Sequence, residues 1–274
     1  MTEEMTNVLE QIHQSYIGLL AEVDRICQKH GIHYYLIGGT LLGLCRNGDF
    51  IPWDDDTDIL MFRADYEKFV KVYPVEAKAQ YPLLNFRSYV QFFDFISKIA
   101  AMDITYKNTV YGDDEFYEYR YNHPTLDIFI LDHRPKHFAW HTFRMRLVYL
   151  LAMGHRKHIQ YDQHKGLNGV ITFIGSHIGK LFPAKRLYAW YERLQKAEKN
   201  PSGRYYLSND MMTRKMWGLM YTQEMFDGER TAVLRGLTVP VPYLTEAILT
   251  MQYGDYMKLP PEDQRKPQHL MEIL

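Results

Sequence analysis

Leu36-Ile-Gly-Gly-Thr-Leu-Leu-Gly43, followed by Ile51-Pro-Trp-Asp-Asp-Asp-Thr-Asp-Ile59, is the stretch that decides the fold. Residues 33–37 have the apolar density of a short buried strand, and residues 40–46 carry leucines at helical spacing. Asn47-Gly48-Asp49 is a turn signal, and residues 57–62 form a second strand. Asp56 and Asp58 stand two apart along this strand, so their side chains leave the same face. Asp54 shares their parity, whereas Asp55 points away as an exposed turn residue or loop anchor. Carboxylates this close repel one another unless a cation lies between them, and hard oxygen ligands suit Mg²⁺ or Mn²⁺. Gly38 and Gly39 let the backbone approach a phosphate and aim a helix N-terminus at it, with the Thr40 hydroxyl in reach. A phosphate cradle and a carboxylate metal site in one strand–helix–strand unit are the equipment of phosphoryl transfer.

Outward from this unit, residues 5–29 read as an amphipathic helix stopped by Gly31, and residues 63–73 as a helix closed by Pro74. Strands are expected at 95–100 and 126–131. A long apolar and basic helix follows over 136–158, then an apolar stretch over 170–182 and a helix to about 196. Residues 200–203 are a loop, and the last quarter mixes short strands with a proline-marked tail. The order of elements gives an α+β fold: a mixed-sheet core with flanking helices and a mainly helical annex. The expected division is a catalytic core over 1–135, a helical segment over 136–200, and a segment over 201–274 that packs back on the core.

With 274 residues, 46% hydrophobic and 24% charged, the composition is globular and excludes a disordered chain. Lys+Arg 32 against Asp+Glu 33 gives no bulk attraction for nucleic acid, which is not expected as a partner. Two cysteines cannot build a disulfide framework, and residues 1–5 lack the basic start of a signal peptide, so a cytoplasmic location is expected. Aromatics at 15% fit either an aromatic-rich core or a groove for a sugar or lipid-linked acceptor. Arg144, Arg146, Arg156 and Lys157 near Phe138, Trp140, Phe143 and Tyr149 describe either a core helix with a charged outer face or a helix on an anionic membrane. His137 and His141 have the spacing of a zinc pair but no accompanying motif, so a solvated helix face is the better reading.

Asp127, in a strand of apolar neighbours, is costly to bury unpaired; a metal explains it, and an edge-strand aspartate bonded to backbone amides is the alternative. Arg46 and Lys98 are candidate cations for phosphate charge, each equally readable as structural. No serine or cysteine stands in a nucleophile context, which favours direct in-line attack over a covalent intermediate.

Gly38-Gly-Thr-Leu-Leu-Gly43, Phe50-Ile-Pro-Trp-Asp-Asp-Asp-Thr-Asp58 and Asp65-Tyr-Glu-Lys-Phe69 together resemble the LicD family of phosphocholine transferases, which are related to the fukutin group and built on the nucleotidyltransferase fold. Leu126-Asp-Ile-Phe-Ile-Leu-Asp132 is similar to the family's Asp-Ile-Phe-Pro-Leu-Asp element, with Ile130 in place of proline. Tyr253-Gly-Asp-Tyr-Met-Lys-Leu-Pro-Pro261, with Arg265 and His269, is similar to its closing signature. The resemblance implies transfer of phosphocholine, or a similar phospho-alcohol, from CDP-choline or another CDP-alcohol to a glycan or lipid-linked glycan, releasing CMP. It implies Asp56, Asp58 and Asp127 as catalytic metal ligands supported by Asp54, and Gly38, Gly39 and Thr40 on the donor phosphates. Asp127 is either ligand or proton acceptor, Asp132 a helix or turn cap, and the 253–257 block a packing element. Residues 136–200 carry no family motif. Two rivals stand beside this reading: a nucleotidyltransferase moving NMP, and a non-catalytic nucleotide- or glycan-binding module. Peripheral contact with the inner membrane surface fits the basic, aromatic helix.

Overall fold

The computed structural model describes residues 3–89, 91–92, 94–108, 115–157, 159, 166–198, 203–210, 218–267 and 270–273. The chain runs α1 (Glu3–His30), β1 (Tyr35–Leu36), α2 (Gly38–Asn47), β2 (Thr57–Phe62), α3 (Arg63–Glu76), β3 (Leu83–Leu84), β4 (Ser97–Ala100), β5 (Tyr106–Asn108) and β6 (Thr125–His133). It continues with α4 (Phe138–Ala152), α5 (Leu167–Gly179), α6 (Ala184–Gln195), β7 (Arg204–Leu207) and β8 (Tyr221–Thr222). Last come β9 (Thr231–Leu234), β10 (Leu237–Pro240), α7 (Thr245–Tyr253) and β11 (Leu270–Ile273). Both helix and sheet are present in the α+β arrangement the sequence predicts.

The main sheet has the order β1-β2-β6-β4-β3, with β7 added to β6 and β8 to β7. β2 and β6 are parallel, and Asp58 is in register with Asp127; the other pairings of the sheet are antiparallel. β6 is long enough to be shared on its far edge, pairing β4 over Thr125–Ile128 and β7 over Leu131–His133. The Asn209 side chain spans the gap: its Oδ1 accepts from Ile130 N–H at 2.9 Å and its Nδ2 donates to Ile128 C=O at 2.8 Å. A carboxamide here reproduces the ladder that a strand would supply.

α1 covers one face of the sheet because Leu9, Ile12, Tyr16, Leu19, Leu20, Val23, Ile26 and Cys27 recur at three- and four-residue steps, and all are buried. It ends where the sequence places the stop: Ile32 N–H bonds Cys27 C=O at 2.9 Å and Gly31 N–H bonds Gln28 C=O at 3.3 Å, a Schellman closure. Pro74, by contrast, does not end α3, which continues to Glu76 with Ala77 N–H closing on Tyr73 C=O. In a last turn the missing N–H removes a single helical bond, so the break comes two residues later. The strand expected over 33–37 shrinks to Tyr35–Leu36 and that over 95–100 to Ser97–Ala100, while 126–131 grows to Thr125–His133. The helix expected over 136–158 stops at Ala152 and passes into a 3-10 turn. Residues 200–202 and His269 lie outside the described residues.

Asp132 is not a cap. It is buried on β6, where Arg63 at the start of α3 grips it through two hydrogen bonds and the Ser208 hydroxyl donates a third. The pair ties α3 to the junction of β6 and β7. Removing one partner leaves a buried uncompensated charge, so Arg63→Met is expected to lower unfolding free energy by about 3–5 kcal/mol. Arg63→Met combined with Asp132→Leu is expected to recover most of that loss, as read by urea denaturation; equal losses in the single and double variants would contradict the pairing.

Candidate active site

The parallel pairing of β2 with β6, and the antiparallel pairing of β6 with β4, set Asp58, Asp127 and Lys98 in one row across three adjacent strands. Lys98 is buried and its ammonium contacts Asp127 Oδ2, with Asp94 Oδ2 at 3.7 Å. Thr125 Oγ1 donates to the other Asp127 oxygen at 3.3 Å. Lys98 therefore lies against a carboxylate that the neighbouring Asp58 would otherwise repel.

Asp58 and Asp54 are held well above the usual carboxylate range. For Asp58 burial is the main cause, followed by the charges of Asp56, Asp127 and Asp54, with Lys98 opposing them. For Asp54 burial again leads, followed by Asp56 and Asp55. The Oδ2 atom of Asp54 is buried with no hydrogen-bond partner among the described residues. Asp56 stands just before β2 and is half-buried, while Asp55 is buried, which fits a loop anchor and not an exposed turn residue. The four-carboxylate stretch folds inward because α1 and a distant hairpin hold it. His13 Nε2 bonds Asp54 C=O at 2.8 Å, and Arg235 at the β9–β10 turn clamps Asp49 and Glu10. Burial lowers the His13 pKa, so its ring remains the neutral partner of that carbonyl.

The glycine pair sits directly against these acids. Gly38 has φ +61°, and a Cβ there would run into Asp58 Oδ2; one on Gly39 would run into Asp54 Oδ2. Only hydrogen fits at either position without displacing a carboxylate. Thr40 differs from the expectation of a phosphate contact: it is fully buried, its Oγ1 accepts Asp58 N–H at 2.8 Å and lies 3.1 Å from Thr57 Oγ1. Its hydroxyl locks α2 onto β2 and sets the height of Asp58.

A cleft of about 760 Å³ opens beside the acids, lined by Arg46, Trp53, Tyr253, Tyr256, Lys258 and Lys266 among others. The Arg265 guanidinium stands 6.0 Å over the Trp53 ring, at cation–π range. Burial lowers the Arg46 pKa, with the charge of Asp54 opposing it, so this cleft residue lies within electrostatic reach of the acids. Tyr253, at the end of α7, is partly exposed to the cleft, yet desolvation and then Asp58, Asp54 and Asp56 push its phenol well upward. Tyr253, Trp53 and Arg265 are cleft neighbours to which the sequence assigns no individual role, although Trp53 stands in the acidic motif and Tyr253 and Arg265 in the closing motif. His141, one of the set-aside pair, is buried with Nε2 2.7 Å from the Tyr206 hydroxyl, and burial lowers its pKa to about 4.

Among the described residues, no three His, Cys, Asp or Glu side chains already close around one point as a metal cage. What stands ready is an all-oxygen donor set with an orphaned carboxylate oxygen and mutually repelling acids. That set fits a hard dication of the kind bound by one or two carboxylates plus substrate phosphates. Asp54, with its unpartnered oxygen, lies in the same electrostatic field as Asp56 and Asp58, the side chains expected to hold such an ion.

Aligned acids on a mixed sheet, with a glycine-opened helix N-terminus against them, form an arrangement suited to phosphoryl transfer. Residues 31–164, just under half of the chain, match the family profile described as LicD/FKTN/FKRP, nucleotidyltransferase domain. It is 26% identical over 279 residues to the lipopolysaccharide cholinephosphotransferase LicD of Haemophilus influenzae, covering 93% of this chain and 94% of that protein. It is 45% identical over 40 residues to the ribitol 5-phosphate transferase FKRP of Homo sapiens and of Mus musculus, which is 15% of this chain and 8% of those proteins.

Because Asp54 and Asp58 hold their protons above the ordinary carboxylate range, the folded chain binds more protons than the unfolded one between the two values. Without divalent cations its stability should therefore fall as pH rises through that window. Thermal melts are expected to show Mg²⁺ or Mn²⁺ raising Tm most at the high-pH end, and Asp58→Asn raising the metal-free Tm while abolishing the metal response. A wild-type response retained in Asp58→Asn would remove Asp58 from the site.

Proposed function

We propose that the chain transfers phosphocholine, or a similar phospho-alcohol, from a CDP-activated donor to a glycan or its lipid-linked precursor, releasing CMP. The observation that carries this reading is the row of Asp58, Asp127 and Lys98 beside a cleft that carries both cations and aromatic rings. Resemblance to the cholinephosphotransferase along nearly the whole chain supports phosphocholine as the group moved. A cytoplasmic location belongs to the same reading, supported by two free cysteines.

In this mechanism Asp56 and Asp58 would hold Mg²⁺ or Mn²⁺, with Asp54 in support. Bound there, the ion would neutralise charge on the phosphates and polarise the transferring group. Gly38 and Gly39 let Asp58 and Asp54 lie against the α2 N-terminus, whose dipole favours the diphosphate anion. Arg46, with Arg265 behind it, offsets phosphate charge on the cleft side, while Trp53, Tyr253 and Tyr256 offer flat faces to the remainder of the donor. The acceptor hydroxyl attacks the alcohol-bearing phosphorus in line, the P–O bond to CMP breaks, and the hydroxyl proton passes to Asp127, whose position Lys98 and Thr125 fix.

CMP release from a panel of CDP-alcohols, with Mg²⁺ or Mn²⁺ and then EDTA, tests the reading. Metal-dependent release from one member is expected, at least about 10²-fold slower in Asp127→Asn. Tyr253→Phe is expected to raise KM for the donor severalfold with a smaller change in kcat. Release of pyrophosphate from a nucleoside triphosphate, with no CMP from any CDP-alcohol, would replace this reading with nucleotidyl transfer.

A further inference from the structure

Helix α5 is built inside out. Its buried positions are the small ones, Thr172, Gly175, Ser176 and Gly179. A Cβ on Gly175 would strike Leu150, and one on Gly179 would strike the carbonyl of Leu151, so the small face is what allows α5 to lie tightly on α4. The bulky residues Leu167, Val170, Ile171, Phe173, Ile174 and Ile178 point into solvent, each 45% or more exposed, and Leu181 just beyond the helix is 79% exposed. A helix that meets water carries polar residues on its outer face; small residues inward and large apolar residues outward is the arrangement of helices facing lipid. Residues 167–179 include no Asp, Glu, Lys or Arg. The helix it packs on, α4, exposes Trp140, Phe143 and Leu147 at three- and four-residue steps, with the Trp140 and Phe143 rings stacked at 5.3 Å.

The surrounding charge selects the occupant. Between residues 133 and 191 the sequence has ten Lys and Arg and a single acid, Asp162, in a chain whose net charge is −1. Exposed members include Arg144 on α4, Lys180 at the end of α5, and Lys185 and Arg186 at the start of α6. A second copy seated face to face would bring the same basic surface against itself, which opposes association. An anionic bilayer offers the complementary charge together with an apolar interior. No helix among the described residues is long and apolar enough to cross a membrane. With 13 residues, α5 is about 20 Å long, against a hydrocarbon core of about 30 Å. It can therefore only lie in the interface.

We propose that the outer face of α5, flanked by the Trp140–Phe143 pair and the basic residues of α4 and α6, is a docking surface for an anionic phospholipid bilayer. The inference stands apart from the reaction assigned to the acidic site, and its measurement needs no substrate. Flotation of the full chain with vesicles of phosphatidylglycerol and phosphatidylcholine is expected to show binding that weakens with salt, and little binding to phosphatidylcholine alone. The triple variant Ile171→Asn, Ile174→Asn, Ile178→Asn is expected to lose roughly tenfold or more of that partitioning, and Lys180→Glu with Lys185→Glu to lose it preferentially at low salt. Both variants should keep the wild-type melting profile and any wild-type turnover of soluble donor. Failure of the wild-type chain to float with the anionic vesicles would overturn the proposal. So would a dimer in light scattering that the triple substitution converts to monomer, because a second copy would then be the occupant.

Discussion

Repulsion between carboxylates on two parallel, in-register strands is the constraint on which the rest of this molecule depends. β2 and β6 cannot pair as they do without setting Asp58 beside Asp127, and the preceding loop adds Asp54 and Asp56 to the same field. Among the described residues, the Lys98 ammonium on Asp127, the Arg46 charge acting on Asp54, and retention of protons by Asp54 and Asp58 offset that cost. Buried acids that raise one another's pKa beside a cleft bearing cations are readily understood as a site whose charge is completed by what binds there.

Much of the surrounding architecture serves to hold the acids in place. Thr40 fixes Asp58 through its backbone N–H, His13 fixes Asp54 through its carbonyl, and Arg235 reaches from a hairpin nearly two hundred residues away to hold Asp49. Asn209 and Ser208 keep β6 continuous where it changes partners, and the Arg63–Asp132 pair anchors α3 at the same junction. These contacts connect the N-terminal helix, the central strands and the C-terminal segment to one loop. The site is therefore a property of nearly the whole chain, in keeping with a resemblance to LicD that extends over 93% of it.

The sequence made the local elements legible where periodicity was strong. The β2 boundaries at Thr57 and Phe62 and the α1 stop at Gly31 follow from residue pattern alone. It also exposed the glycine pair and the acids, because their spacing is short. It was silent where partners are distant: Asp132 reads as a cap because Arg63 and Ser208 are far away in sequence, and the choice between exposed turn and loop anchor for Asp55 depends on enclosing elements out of view. Tyr253 was hidden for the same reason, since only the fold carries the end of α7 to the acids. The apolar stretch at 170–182 shows a further limit. Its periodicity announces a helix but not which face is covered, and here the small face is the buried one.

The central claim, that Asp56 and Asp58 form a cation site completed by donor phosphates, is tested most directly by Mn²⁺ binding to the full chain, followed by electron paramagnetic resonance with and without CDP-choline. The account predicts weak binding alone, binding strengthened by the nucleotide, and loss of that strengthening in both Asp56→Asn and Asp58→Asn. Nucleotide-strengthened Mn²⁺ binding that survives both substitutions would contradict it.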